Sequence, residues 1–218
     1  MSYLLDSPYT THAMNVLRIY PSSINTKAID LVADTLRDGG LAVYPTDTAY
    51  AVGCSALNKQ ATEKLCRLKR IDPARHTLSI ICADISQASR FAHIDNEAFA
   101  ILRAYTPGPY TFILKASPTL PKVFKGRKQV GLRIPSNPIP TAIAGALDCP
   151  ILTTTLAIPD VEPGETVYPH NVEPLAEQLD ADIMIDGGQT QAEISTVVDI
   201  TDPDNPVVIR RGIAPFPS

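Results

Sequence analysis

Two short apolar runs held apart by a polar knot limit what the stretch Gly39 to Gly53, GGLAVYPTDTAYAVG, can become. The glycine pair ends one segment, and Leu41-Ala42-Val43-Tyr44 follows as an apolar run of strand length. Pro45 has no N–H to give to a ladder, so the strand must stop there or lie at an edge. Thr46, Asp47 and Thr48 are then presented at a strand end before a second apolar run closes on Gly53. Local chemistry leaves two outcomes open. The knot is either a set of ligand contacts, which α/β sheets place at strand ends, or an ordinary turn tied by side-chain-to-backbone bonds.

The rest of the chain alternates strand and helix signals. Val16 to Tyr20 reads as a strand, and Ser22, Ser23 and Asn25 offer caps for a helix with Ile29, Leu31, Val32 and Leu36 at helical spacing. Asn58 can cap a helix through Arg70. Leu78 to Cys82 reads as a buried strand, followed by helices over Ser86 to Phe91 and Asn96 to Tyr105. Strands over Tyr110 to Lys115 and Val130 to Ile134 flank a basic loop, 116–129. A short helix spans Thr141 to Leu147, and Ile151 to Thr155 is another strand. Residues 156–174 hold four prolines and read as an ordered loop or flap, with a helical turn at Leu175 to Leu179. Ile183 to Ile185, Thr196 to Thr201 and Val207 to Arg210 close the chain as strands. With no repeat and no linker, the pattern implies one mixed α/β domain over residues 1–218.

Composition removes several function classes. No window approaches the run of about 18 apolar residues that a membrane span needs, and the N-terminus lacks the basic start and apolar stretch of a secretory leader. Cys54, Cys66, Cys82 and Cys149 form no CxxC pair and mostly sit in apolar segments, so small core residues in a reducing cytoplasm are expected rather than a zinc site or a disulfide frame. The net charge of −4 is unevenly spread: residues 1–66 carry −1, residues 67–133 carry +8 and residues 134–218 carry −11. The middle block includes Arg67, Lys69, Arg70, Arg75, Lys115, Lys122, Lys125, Arg127, Lys128 and Arg133. It offers a face for phosphates or RNA, or else simply solvated helix faces and a basic loop.

Nucleotide chemistry, if present, must be dispersed. There is no G-x-x-x-x-G-K-[ST] loop, no G-x-G-x-x-G turn, no H-E-x-x-H and no G-x-S-x-G elbow, and the four histidines have no ligand spacing. An arginine inside the apolar strand VGLRIP is a stronger signal, because a charge placed there demands a partner.

Five ordered blocks then carry a resemblance: PTDTAYAVG (45–53), PGPYTFIL (107–114), VGLRIPSNP (130–138), STVVDIT (195–201) and VVIRRG (207–212). In order and spacing they resemble the YrdC family, which contains the L-threonylcarbamoyladenylate synthases, over residues 25–212. CRLKRIDPARHTLSIIC (66–82) and TTTLAIPD (153–160) look nearest to its YciO-like branch. The resemblance implies a twisted, mostly parallel sheet flanked by helices, with a concave basic cleft. It implies an enzyme, a nucleotidyltransferase that joins L-threonine, bicarbonate and ATP, helped by Mg²⁺, into threonylcarbamoyl-AMP and pyrophosphate for modification of adenosine 37 in tRNA.

Carried over by motif, Thr46 and Thr48 would contact threonine, Lys69 would neutralise nucleotide phosphates, and Arg133 would grip the amino-acid carboxylate. The resemblance puts Thr153 on the threonine, Arg70 and Thr155 beside the nucleotide, Ser195 and Thr196 over the substrate pocket, and Arg210 on the phosphates. Lys69 and Arg133 are the expected catalytic residues, and no metal ligands are expected. Two positions depart from the family's K-x-R…S-x-N tetrad: Ile71 replaces its arginine and Ala157 its asparagine, while Thr155 keeps the hydroxyl of its serine. The alternative is therefore an RNA- or nucleotide-binding protein of the same fold, on double-stranded RNA or tRNA, with weak or no synthase activity.

Overall fold

Side-chain caps and turn residues punctuate the elements. The computed structural model describes residues 13–72, 78–120 and 128–217. The first twelve residues, Arg75, and the loop cations Lys122, Lys125 and Arg127 lie outside the described residues. Asn25 caps α1 (Thr26–Arg37), accepting from the Ala28 N–H at 3.3 Å and satisfying one of the donors that a first turn leaves unpaired. Ile29, Val32, Ala33 and Leu36 form its buried stripe. The chain reverses at Gly39, whose φ of +97° suits a residue without a Cβ.

β2 (Ala42–Tyr44) and β3 (Ala51–Ser55) then pair antiparallel, with Tyr44 opposite Ala51. Their side chains alternate between two cores. Leu41, Val43 and Val52 join the core on one face, together with residues of α2 (Lys59–Leu68) and α4 (Asn96–Tyr105). Ala42, Tyr44 and Ala51 join the core on the other, under α1 and α5 (Pro138–Leu147).

The other strands are β1 (Asn15–Arg18), β4 (Ser79–Ile81), β5 (Tyr110–Lys115), β6 (Gln129–Arg133), β7 (Ile151–Thr155), β9 (Ile183–Asp186), β11 (Thr196–Asp199) and β12 (Val207–Arg210). They complete a ten-stranded sheet ordered β1-β9-β2-β3-β7-β4-β6-β5-β11-β12, and β8 (Thr166–Val167) pairs apart with β10 (Thr190–Gln191). The molecule is thus a single α/β domain. Four junctions of the large sheet are parallel and five are antiparallel. The sheet is mixed where the sequence led us to expect mostly parallel pairing. Connectivity accounts for three of the five antiparallel junctions: β2–β3, β5–β6 and β11–β12 join neighbours directly, and a parallel pair would need a long crossover.

The proline-rich stretch 156–174 is also corrected. It contains β8 and the first half of α6 (Pro169–Gln178), so the helix is a full ten residues rather than a turn at its end. Pro169 sits in the first turn, where an N–H would have no partner in any case, and the Asn171 side chain accepts from the Tyr168 N–H at 3.0 Å. Among the described residues, no helix is long and apolar enough to cross a membrane.

Gly53 ends the opening motif because nothing larger fits. A Cβ there would lie 2.5 Å from the Tyr44 hydroxyl and 2.8 Å from the Leu152 carbonyl oxygen. Gly53→Ala should cost about 1–3 kcal/mol by overpacking, lowering the thermal midpoint by about 3–10 °C in a chain of this size. Circular dichroism melting checks this.

Candidate functional site

Arg133, at the end of β6, is 6% exposed, and an arginine so deeply buried requires a countercharge. Asp47 of the polar knot supplies it. Its Oδ1 lies 3.0 Å from Arg133 Nη2, and both side chains are 6% exposed. The second carboxylate oxygen accepts from the Ser136 N–H at 2.8 Å and the Ser136 hydroxyl at 3.2 Å. Asp47 therefore ties the turn after β2 to the turn after β6.

The two threonines extend this brace. Arg133 Nη2 donates to Thr48 Oγ1 at 3.2 Å, and Thr48 Oγ1 lies 3.0 Å from Thr46 Oγ1. The Thr46 hydroxyl donates to the Ala49 carbonyl at 2.7 Å. Since Thr46 spends its hydrogen on that carbonyl, Thr48 must be the donor within the pair. Both hydroxyl hydrogens are thus consumed inside the knot. Burial pulls the Arg133 guanidinium below its ordinary range, and the charge of Asp47 opposes that pull.

Arg133 also lines a cavity of about 360 Å³. Arg210 of β12 is its second cation, and Ile71, Leu78, Ile113 and Val197 give it apolar walls. The hydroxyl-bearing residues Ser79, Thr111, Thr153, Thr155 and Ser195 are among the others that line it. No carboxylate lines it among the described residues. Partial burial, and then the charge of Arg133, draw Arg210 down, so the two cations repel across a space that an anion would neutralise.

Ser195 is the hinge of the far wall. Arg210 Nη2 donates to the Ser195 carbonyl at 2.9 Å and to its hydroxyl at 3.1 Å, and that hydroxyl lies 2.9 Å from Thr111 Oγ1. The crossing is close enough to require Gly212, where a Cβ would meet the Ile194 carbonyl oxygen at 2.3 Å. Thr196 turns away from the cavity. Its hydroxyl donates to the Ala214 carbonyl and accepts from the Gly212 N–H at 3.0 Å. On the near wall, the buried Tyr44 hydroxyl donates to Thr153 Oγ1 at 2.9 Å, and burial pushes that phenol's pKa up.

Of the residues named from sequence, the cavity gathers Arg133, Thr153, Thr155, Ser195 and Arg210. Thr46 and Thr48 stand behind Arg133, outside the lining, and Thr196 braces the C-terminal segment. Lys69 closes the last turn of α2 through its N–H bond to the Leu65 carbonyl. It is half-buried, with its pKa lowered by desolvation, and is not a lining residue. Arg70 beside it is exposed, with φ at +51°. The two departures from the tetrad fall on different walls. Ile71 lines the main cavity, and Ala157 lines an apolar pocket of about 200 Å³ that shares Thr155 with it. Sequence reading missed Asp47 as the partner of Arg133, and missed Thr111, Ser79 and Tyr44. All four cysteines are buried and none lines the cavity. Among the described residues the side-chain oxygens lining the cavity are hydroxyls, with no carboxylate to hold a resident Mg²⁺, so the residues present fit an ion carried on nucleotide phosphates.

Known proteins share the fold. The Sua5/YciO/YrdC family model, described as telomere recombination, matches residues 34–212. The "uncharacterized protein YciO" of Escherichia coli K12 is 39% identical over 197 residues, 89% of this chain and 94% of that protein. The crystal structure of E. coli YciO aligns with a TM-score of 0.82, covering 93% of this chain and 98% of that one. The threonylcarbamoyl-AMP synthase of Pyrococcus abyssi is 31% identical over 191 residues, which is 86% of this chain and 55% of that protein. A structure of P. abyssi Sua5 complexed with L-threonine aligns with a TM-score of 0.77 at 28% identity, covering 92% of this chain and 57% of that one.

Removing one member of a buried ion pair leaves the other uncompensated, which costs about 3–5 kcal/mol. Asp47→Ala should lose that much stability in chemical denaturation. The double variant Asp47→Leu, Arg133→Met should recover most of it, because neither charge is then buried alone.

Proposed function

The chain belongs to the Sua5/YciO/YrdC family, and from that membership we propose that it is an L-threonylcarbamoyladenylate synthase acting on L-threonine, bicarbonate and ATP. The observation that carries the reading is the acid-free cavity between Arg133 and Arg210, with Arg133 locked by Asp47 and Thr48. Its relative in P. abyssi was solved with L-threonine bound, and relatives in P. abyssi and Bacillus subtilis are named threonylcarbamoyl-AMP synthase.

In this reading Arg133 takes the threonine carboxylate, and Thr153 and Ser195 line the same ligand. The threonine amine adds to bicarbonate with loss of water, giving an N-carboxylate. An oxygen of that N-carboxylate attacks the α-phosphorus of ATP. The new O–P bond forms as the bond to the β-phosphate oxygen breaks, and pyrophosphate leaves. Arg210 and Lys69 neutralise phosphate charge, with Thr155 and Arg70 beside the nucleotide and Mg²⁺ entering with ATP. Rate would come from alignment and charge neutralisation rather than from a protein base, since no carboxylate or histidine lines the cavity among the described residues. In this reading the product goes on to tRNA modification, and the free, buried cysteines fit a reducing cytoplasm.

A second reading rests on Ile71 and Ala157, which put apolar groups where the family tetrad has an arginine and an asparagine. In it the cleft binds nucleotide or RNA, including tRNA or double-stranded RNA through the basic middle block, without the ligase-like step.

Pyrophosphate release from ATP should require both L-threonine and bicarbonate, and the double variant Asp47→Leu, Arg133→Met, in which neither charge is buried alone, should abolish it. Release that is indifferent to threonine at high enzyme concentration overturns the synthase reading. Under it, Ala157→Asn should tighten ATP binding in calorimetry by about tenfold, the worth of one charge-assisted hydrogen bond. RNA binding through phosphates, by contrast, should weaken steeply with added salt.

A further inference from the structure

Val207 and Ile209 are the two most exposed large apolar side chains among the described residues, at 54% and 57%. Both lie on β12, the strand that ends the large sheet. Val208 between them packs against the core, so the alternation of the strand turns its two neighbours away from it. The same corner holds the exposed Ile194 and Ile213, joined by the bond from the Ile213 N–H to the Ile194 carbonyl at 3.0 Å. Four of the eleven exposed large apolar side chains are therefore gathered at one corner of the sheet.

A sheet edge is normally guarded, because its unpaired N–H and C=O groups invite another strand. The opposite edge is guarded: β1 sets Val16 between Asn15 and Leu17, and the Arg18 side chain that follows is 79% exposed. β12 holds one charge, Arg210, and that side chain turns back to Ser195 instead of standing over the edge. Pro206 lacks an N–H, but it precedes the strand and leaves the four strand residues with theirs.

The order of charges along this segment selects the occupant. Asp202 and Asp204 precede the strand, Arg211 follows it, and all three are exposed. Neither Asp204 nor Arg211 has a partner among the described ion pairs. A segment that is acidic at one end and basic at the other complements its own copy only when the two run antiparallel, and a two-fold axis imposes that alignment. With the axis at Val208, Val207 of each copy lies opposite Ile209 of the other, a β-branched pair made twice. The Asp202–Asp204 turn of each copy then lies beside the Arg211 end of the other. A parallel pair would instead set acid beside acid and base beside base.

We propose that β12 is a pairing edge for a second copy of this chain, aligned antiparallel across a two-fold axis so that the sheet continues from one molecule into the other. The pairing does not depend on the synthase reaction. The edge strand is four residues long, so the contact is small and the association weak.

Sedimentation equilibrium of the full chain at low salt, between about 1 and 500 μM, covers the weak affinities that a small interface gives. Wild type should move from the mass of one chain towards that of two as concentration rises. Ile209→Lys should weaken the pairing at least about tenfold, since the change enters a symmetric contact twice. Asp204→Lys and Arg211→Glu should each weaken it about three- to tenfold, and combining them should bring it back to within about threefold of wild type, because the two ends exchange sign together. Melting midpoints near wild type show that the variants are folded, and none of the changed residues lines the cavity. Wild type that keeps the mass of one chain throughout the range overturns the proposal and leaves the edge to a different protein. Mass that grows past two chains overturns the closed pair. Association that ignores Ile209→Lys overturns its assignment to β12, and a double reversal as weak as its single parents overturns the antiparallel alignment.

Discussion

The contact between Asp47 and Arg133 is the constraint on which the rest depends. A guanidinium buried to 6% exposure inside an apolar sheet is unfavourable by itself. It becomes tolerable only when a carboxylate equally withdrawn from water lies at 3.0 Å. Asp47 also accepts two hydrogen bonds from Ser136, so the segment entering α5 is fixed by the same carboxylate. One acidic side chain thus sets the β2–β3 turn, the end of β6 and the direction of the first cation facing the cavity.

The two arginines are held by opposite means, and the contrast has a chemical use. Arg133 is neutralised and rigid, so its head is prepared for an anion of fixed geometry such as a carboxylate. Arg210 has no salt-bridge partner among the described ion pairs; it donates to the neutral carbonyl and hydroxyl of Ser195. Its charge therefore remains largely uncompensated and is placed to attract a group that brings more negative charge, such as a phosphate. The strand order explains how the two meet. β6, β5, β11 and β12 are consecutive in the sheet, so the far wall forms only when the C-terminal strands add to β5. Gly212 makes that addition close enough to matter.

Much of this was legible in the residues, for stated reasons. Asn25 and Asn58 announce their helices because a short side-chain acceptor before an apolar stripe is local chemistry. Arg133 announced a site because burial of a charge is a demand visible in one strand. Its answer was not visible, since Asp47 is 86 residues away and meets Arg133 only through tertiary folding. Thr111 was hidden for another reason: a lone threonine in YTFILK reads as an ordinary strand former. Only the arrival of Ser195 from the C-terminal segment gives it a polar partner, at 2.9 Å. The helix in 169–178 was missed because proline reads as a breaker, yet Pro169 costs no hydrogen bond in the first turn and Pro174 is accommodated in the helix interior.

Ile71 and Ala157 act on this scheme unequally. Neither touches the Asp47–Arg133 brace, so the carboxylate end of the cavity keeps every group that orients it. Ile71 packs against the core while lining the cavity, and so trades a possible phosphate contact for apolar burial. Ala157 is exposed at the edge of a pocket lined by Leu156, Ile158, Val161 and Glu193, and its methyl group brings no hydrogen-bonding atom to that edge. Under the synthase reading the losses therefore fall on the nucleotide side, where Arg210 is the cation that lines the cavity. Amino-acid and phosphate recognition would then weaken independently, since Arg133 and Arg210 are held by different partners.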